Sequence, residues 1–406
     1  MPRGPYRRLL SVPGVRALLA LMVLARVPAA ATGIVLTLNV VLGMGRGYGA
    51  AGLVTGAGTL GVALGSPLTG RLIDRHGLRP VVAVCGLSEV AFWFTAPLMS
   101  YPVLLACALL TGITALPLFS VARQALAAMV GQDLRRTAFS LDSMSVEASF
   151  ALGPAAGVLV VTVLSPAAGF VGVGICMGMA AVGIYLLNPP TRSETELHEQ
   201  GETPPRRQWL SPQLFGVLLV SCAGTLVLAG TDTAMVASLR ATDALNMTGL
   251  VFAAWCLASM LGGYIHGAVP RSLPPVALAG LLGLLTVPAA ALASSWWLLA
   301  VGLIPAGLLC APTIAATGEA VSRIAPAAVR GEAMGLHGSA LTIGISLGAP
   351  LAGAVIDRTA PLWGFTVAGA AGIAVCLAAL PLLRPHPRPQ EEAVARPAVL
   401  DPAGLA

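Results

Sequence analysis

Twelve long apolar runs limit what this chain can fold into. A membrane-spanning helix needs about 20 mainly apolar residues, and each run is at least that long. The runs lack the alternation of polar and apolar residues that marks a barrel strand. The sequence therefore predicts an all-α membrane protein with twelve transmembrane helices. The runs lie at roughly 15–39, 48–70, 80–100, 102–122, 143–165, 167–188, 213–238, 246–268, 273–294, 297–321, 333–356 and 362–383.

The composition agrees with a lipid environment. Hydrophobic residues make up 56% of the chain and charged residues only 10%, and the mean hydropathy is +0.85. A soluble domain carries about 25% charged residues, so this chain could not cover a water-facing surface. The seven cysteines all lie inside apolar runs with no paired spacing, which is typical of core residues and not of disulfides or metal ligands.

One polar stretch divides the chain into two halves. Residues 188–209 read NPPTRSETELHEQGETPPRRQW, a composition typical of flexible linkers. We predict two six-helix bundles in pseudo-symmetric halves, joined by a cytoplasmic linker and followed by a disordered cytoplasmic tail. Their bounds are 1–188, 189–211, 212–384 and 385–406.

The arginines predict the orientation. All 23 basic residues are arginine, and nineteen fall in segments that face the cytoplasm if the N-terminus does. Three fall on the opposite side, and Arg26 lies within the first helix. Positive charge concentrates on the cytoplasmic side of membrane proteins, so both termini are predicted to be cytoplasmic in a cell (inner or plasma) membrane. The net charge of +6 then needs no nucleic-acid partner.

A repeated segment relates the two halves. LGSPLTGRLIDR at 64–75 returns as LGAPLAGAVIDR at 347–358, and residues 59–75 match 342–358 at ten of seventeen positions. A shorter echo, EASFALGPAAG, lies at 147–157. These segments belong to helices two, eleven and five, a spacing that predicts three-helix repeats. We expect glycines spaced four apart in the two copies to let helices of opposite halves approach closely.

Two motifs carry a family resemblance. GRLIDRHGLRP at 70–80 resembles the loop signature between helices two and three of the major facilitator superfamily, and GPAAG is similar to the helix-five signature of that family. The chain looks most like twelve-helix, proton-coupled efflux members. The matching residues are Gly70, Asp74, Arg75, Gly77 and Arg79 in the first motif and Gly153, Pro154 and Gly157 in the second.

The resemblance implies a mechanism as well as a fold. Such a protein is a secondary active transporter that works by alternating access, with helices one, four, seven and ten around its cavity. Its loop motif locks against the start of helix eleven. We therefore expect Asp74 to meet the amides around residues 331–332, and Arg75 or Arg79 to meet Asp133. The second copy ends at Asp357, which is expected to cap the outer face.

Ionisable residues inside the spans are candidates for function, because the bilayer makes them costly. An arginine at the midplane needs a carboxylate, and we expect Glu89 or Glu147 to pair with Arg26. Glu89 otherwise has a structural role, and His337 is expected to be a polar packing residue. The candidates for proton coupling or substrate binding are Arg26, Glu147, Asp232 and Glu319.

Two candidates have simpler alternatives. Glu319 lies one helical turn from Arg323, so an ion pair at the membrane interface is an alternative to a buried site. Asp232 lies toward the outer end of its helix, where its carboxylate can reach water.

The function predicted from these features is proton-coupled export of a small apolar or amphipathic compound, since the cavity helices are mostly apolar. Uptake of a small metabolite with protons and a non-transporting scaffold or sensor are alternatives. The sequence contains no phosphate-binding loop, zinc-protease motif or catalytic triad, so we predict neither an enzyme nor a cofactor or metal. The expected partners are a small-molecule substrate, protons and lipid, with the protein as a monomer.

Overall fold

The computed structural model describes residues 4–193, 196, 204–269 and 271–384. These residues contain twelve helical spans that are long and apolar enough to cross a membrane, as predicted. The tail predicted at 385–406 lies outside the described residues. The spans are α1 (Val15–Gly43), α2 (Tyr48–His76), α3 (Leu78–Leu98), α4 (Tyr101–Met129), α5 (Arg135–Val163), α6 (Pro166–Leu187), α7 (Pro212–Ala241), α8 (Leu245–Ala268), α9 (Pro275–Leu292), α10 (Trp296–Ile324), α11 (Ala327–Ile356) and α12 (Leu362–Ala379).

Several spans extend beyond the apolar runs that predict them. The fifth helix begins at Arg135 where the sequence predicts residue 143, α2 continues to His76, and the last helix of α4 reaches Met129. The additional turns contain charged and polar residues, which hydropathy assigns to loops. Asp74, Arg123 and Arg135 in these turns contact other helices, whereas Arg75 and His76 at the end of α2 are exposed.

Irregular turns interrupt some spans. Span α4 consists of two helices, Tyr101–Ile113 and Leu118–Met129, with Pro117, which cannot donate a backbone hydrogen bond, between them. Span α1 ends in a π-helical turn at Asn39–Gly43. A short helix at Pro5–Ser11 precedes the spans.

The two halves use the same internal packing. In the first half α1 packs on α5, α2 on α4 and α3 on α6; in the second half α7 packs on α11, α8 on α10 and α9 on α12. Each pair of the second half is the first-half pair moved by six helices, which agrees with the pseudo-symmetry predicted from the repeat. Between halves, α2 packs on α11 and α5 packs on both α8 and α10.

The repeated glycines allow close packing within each half, not between halves as expected. A Cβ at Gly65 would overlap the backbone of Ile113 in α4, and a Cβ at Gly348 would overlap the Leu226 carbonyl oxygen in α7. Other glycines serve the contact between halves: a Cβ at Gly335 of α11 would overlap the backbone of Ser66 in α2.

Two glycines of α11 provide a matched test of this packing. Gly348→Ala forces the α7 backbone away and is expected to cost about 1–3 kcal/mol. A Cβ at Gly353 would meet no atom of another described helix within 4 Å, so Gly353→Ala gains about 0.5–1 kcal/mol of helix propensity. Thermal unfolding in detergent, followed by tryptophan fluorescence, measures both. Equal melting temperatures would contradict the close contact.

Candidate functional site

The two halves are joined at the end of the bundle that carries Arg71, Arg75 and Arg323, called here the arginine-rich end. Asp74, in the last turn of α2, accepts hydrogen bonds from the amides of Gly331 at 2.9 Å and Glu332 at 2.8 Å. These amides begin the helix Arg330–Ile356, whose first N–H groups lack partners inside the helix and carry a partial positive charge. The contact predicted for Asp74 is confirmed.

Two arginines of the linker that joins the halves strengthen this contact. Arg192 donates to the backbone carbonyls of Asp74 at 3.1 Å and Ala328 at 3.2 Å. Arg206 pairs with the Glu332 carboxylate. These described residues of the predicted linker are therefore bound to the α2–α11 contact.

Glu196 adds a further ion pair on the same side. Its carboxylate lies 2.5 Å from the guanidinium of Arg330 and accepts a hydrogen bond from the Ser193 amide. Burial would raise the pKa of Glu196, but the hydrogen bonds from Arg330 and Ser193 outweigh it and lower that pKa. Stability from a carboxyl with a lowered pKa is present at neutral pH and is lost as the pH falls through the lowered value.

The other residues of the first motif have distinct roles. A Cβ at Gly70 would overlap the Gly331 carbonyl. Gly77 has a φ of 83° at the turn between α2 and α3, a conformation that glycine adopts more readily than other residues. Arg79 lies over the Tyr185 ring and donates to the Tyr185 carbonyl at 3.1 Å. The expected pairing of Arg75 or Arg79 with Asp133 was wrong.

Asp133 instead pairs with Arg8, at 3.6 Å. Arg8 belongs to the short helix Pro5–Ser11, which packs against α5 and α8. No pattern in the sequence indicates that this helix lies beside the loop that carries Asp133.

The helix-five motif joins α5 to α1. A Cβ at Gly153 would lie 2.5 Å from the Val27 carbonyl oxygen, and a Cβ at Gly157 would lie 2.9 Å from Ile34. Pro154 lies between them inside the helix. These positions bring the α5 backbone close to α1.

A buried charge network occupies the core of the first half. Arg26 of α1 lies 2.7 Å from one oxygen of Asp142 in α5, and Arg123 of α4 lies 3.3 Å from the other. Arg26 also donates to the Ser145 hydroxyl at 2.9 Å. The side chains of Arg26, Arg123 and Asp142 are exposed by 2% or less. The expectation that Glu89 or Glu147 pairs with Arg26 was wrong, because α5 begins early enough to bury Asp142.

The network continues into the second half. Arg123 donates to Nδ1 of His337 in α11 at 3.0 Å, and Nε2 of His337 lies 3.1 Å from the Thr317 hydroxyl in α10. Arginine can only donate, so Nδ1 accepts and Nε2 carries the proton of a neutral imidazole. We call Arg26, Asp142, Arg123, His337 and Thr317 the arginine network.

A second cluster contains two carboxylates. Glu147 of α5 is buried and accepts a hydrogen bond from the Cys310 thiol of α10 at 3.1 Å. The Ser259 hydroxyl of α8 also lies within its reach. Asp232 of α7 is close enough for the two carboxylates to repel each other. Among the described residues, no arginine forms an ion pair with either carboxylate.

The remaining acids of the spans have cationic or structural partners. Glu319 pairs with Arg323 at 2.5 Å and with Arg136 of α5 at 3.8 Å, which is the ion pair considered as an alternative for this residue. Glu89 accepts a hydrogen bond from the indole of Trp93 at 2.7 Å and lies away from Arg26. The Glu319–Arg136 pair joins α10 to α5, whereas the contacts with Arg323 and Trp93 lie within single helices.

Sequence reasoning misses the two charged partners of Arg26 and His337 in the arginine network. Hydropathy assigns Arg123 to the cytoplasmic arginines and Asp142 to the membrane interface. The sequence does contain a signal that Arg123 lies inside a helix. The apolar residues Ala125–Met129 follow it closely and continue that helix.

The charge of Asp74 can be tested against its copy. Asp74→Asn keeps the shape but removes the negative charge at the start of α11, and is expected to cost the closed contact about 1–2 kcal/mol, roughly a tenfold shift toward separated helices. Maleimide labelling of Ser66→Cys, in a background without native cysteines, measures the separation. The exposed Asp357 supplies the control: equal labelling of Asp74→Asn and Asp357→Asn would contradict the role of Asp74.

Comparison with known proteins places this geometry in a family. The family model of the Major Facilitator Superfamily matches residues 18–286 and 243–404. No curated protein sequence matches the chain. Three solved structures share the fold at low sequence identity.

The first is the human organic anion transporter MFSD10 (TETRAN), with 20% identity, a TM-score of 0.67 and coverage of 94% of this chain and 100% of that one. A bacterial homologue of the iron transporter ferroportin in an outward-facing state has 17% identity, a TM-score of 0.72 and coverage of 91% and 99%. The proton:xylose symporter XylE has 13% identity, a TM-score of 0.70 and coverage of 93% and 96%. The family model spans both halves, and the chain belongs to the Major Facilitator Superfamily.

Proposed function

We propose that this protein exports a small amphipathic compound in exchange for protons, by alternating access. Its membership of a transporter family supports membrane transport. The single observation that carries proton coupling is that Glu147 and Asp232, acidic residues of two membrane-spanning helices, form no ion pair with an arginine among the described residues. The structures of similar fold include transporters of different substrates, so the fold alone does not select a cargo.

The carboxylate pair suits reversible proton binding. A carboxylate without a cationic partner is poorly solvated inside the membrane, so binding a proton offsets part of that cost. Glu147 belongs to the first half and Asp232 to the second, and Cys310 and Ser259 around them belong to the second. Movement of the halves therefore changes the surroundings of both carboxylates, which is what coupling a proton to transport requires.

The contacts between halves support alternating access. The described contacts of α2 with α11 lie at the arginine-rich end, where Ser339 donates to the Ala63 carbonyl and Asp74 meets the start of the α11 helix. Toward the other end, Gly61 packs on α4 and Gly348 on α7, within their own halves. We take the arginine-rich end as cytoplasmic, because arginine concentrates on that side, and this conformation is then closed to the cytoplasm.

Export is favoured over uptake by the surroundings of the proton pair. The walls near Glu147 come from small or apolar residues of α7, α8 and α10, including Cys256 and Cys310. A carrier for a sugar would need many hydrogen-bonding side chains there. An amphipathic compound that enters from the cytoplasm or the inner leaflet fits these walls better.

Neutral substitutions test the proton pair. Glu147→Gln and Asp232→Asn each remove a proton-binding group, and we expect nearly complete loss of transport driven by a pH gradient while exchange of substrate for substrate continues. Proteoliposomes that contain pyranine, a pH-sensitive dye, report proton flux when a panel of amphipathic compounds is added.

Glu89→Gln is the matched control, since Glu89 is a buried carboxylate held by Trp93 and glutamine can still accept that hydrogen bond. Proton flux at the wild-type level in both the Glu147→Gln variant and the Asp232→Asn variant would exclude these carboxylates as the proton site. Absence of flux with every compound in the wild type would contradict proton-coupled transport itself.

A further inference from the structure

The arginine network carries more positive than negative charge. Arg26 and Arg123 share the single carboxylate of Asp142, and the neutral His337 adds no charge. A buried charge without a partner is costly and needs an anion beside it. We propose that Arg26 and Arg123 together bind the acidic group, a carboxylate or sulfonate, of an organic anion that is the substrate. This proposal deepens the proposed function and rests on it.

The arginines have free donors for such a group. Each guanidinium offers five N–H donors in a planar fork. Nε and Nη2 of Arg26 and Nη2 of Arg123 are buried without a hydrogen-bond partner among the described residues. Two such forks bound to one carboxylate leave several donors unused, and paired N–H groups match the oxygens of a carboxylate or sulfonate.

Polar and aromatic groups surround the arginine forks. The guanidinium of Arg26 lies over the Phe119 ring, with its carbon 5.0 Å from the ring centre. The side chains of Gln124 and Ser143, which follow Arg123 and Asp142 in the sequence, are buried and also without a hydrogen-bond partner among the described residues. An aromatic face beside unpaired polar groups suits a compound with an acidic head and an apolar body.

The position of Arg123 explains how an anion would reach the site. In this conformation the network is enclosed, and the Arg123–His337 hydrogen bond joins the halves. Opening of the arginine-rich end separates α4 from α11 and breaks this bond. Arg123 then loses its neutral acceptor and faces the opened side, where it can take an anion. The anion competes with Asp142 for the same guanidinium groups.

The competition with Asp142 distinguishes a binding site from a structural ion pair. If the network only holds helices together, Asp142→Asn weakens it in the same way as Arg26→Gln or Arg123→Gln does. If the arginines bind substrate, Asp142→Asn removes a competing anion and strengthens binding, whereas the arginine substitutions weaken it. The sign is read from the ratio of anion affinity to neutral-partner affinity, because a loss of folded protein affects both partners alike and leaves that ratio unchanged.

The experiment measures binding to the full-length protein in lipid nanodiscs. The probes are 1-naphthalenesulfonate, 1-naphthoate and hexanoate, each compared with its own neutral sulfonamide or amide. We expect at least one anion to bind the wild type ten or more times more tightly than its neutral partner. The preference is expected to fall below threefold in Arg26→Gln and Arg123→Gln and to rise in Asp142→Asn.

Three control experiments test whether a change in binding comes from the arginine site itself. Arg26→Lys keeps the charge and should retain part of the preference. Arg46→Gln removes an exposed arginine that lies over Tyr101 in the same half and should bind as the wild type does. Replacement of sodium chloride by sucrose of equal osmolarity, which adds no anion, shows whether chloride occupies the arginines.

Three results would overturn the proposal. These are equal affinity for the anions and their neutral partners, a lower preference for anions in Asp142→Asn than in the wild type, and binding of chloride that no organic anion displaces. Proton-coupled transport of neutral compounds alone would reject this site while leaving the proposed transport intact. Preferential anion binding without any proton flux would support the site and reject the proton coupling.

Discussion

The charge of Asp142 is the constraint on which the core of the first half depends. Its two oxygens face Arg26 of α1 and Arg123 of α4, so three helices meet at one carboxylate. Removing one partner from a buried pair leaves an uncompensated charge and typically costs about 3–5 kcal/mol. Because Arg123 also reaches His337 of α11, the same carboxylate positions the side chain that joins the halves. Asp142 thus supports one of the contacts between the halves as well as the packing inside the first half.

The matching segments of the two repeats make different contacts. Asp74 and Asp357 end matching segments, yet Asp74 accepts two hydrogen bonds from the α11 backbone whereas Asp357 is exposed. The difference follows from direction: α2 and α11 pack against each other over only part of their length, and that part includes Asp74 but not Asp357. The local sequence makes each segment helical, and the helix that packs against its end determines what the aspartate does.

Hydropathy and motifs predict the twelve spans, the six-helix repeat and the contact of Asp74, because each depends on local sequence or on a motif within it. They do not predict the partner of Arg26. A charged residue near the end of an apolar run has two explanations, a loop in water or one more helical turn whose charge is paired inside the protein. Asp142 and Arg123 are both of the second kind, and only the packing of α1, α4 and α5 distinguishes the two. Glu319 has a partner one turn away on its own helix, so its pairing with Arg323 could be anticipated from local sequence.

The direction of the hydrogen bonds around His337 has a consequence for protons. Arg123 donates to Nδ1, and Nε2 carries its proton toward Thr317. A second proton on this imidazole would have to replace the hydrogen bond from Arg123 at Nδ1, and arginine does not lose its own proton in proteins. His337 therefore does not relay protons while Arg123 keeps this contact, and a proton that crosses between the halves in this conformation takes another route.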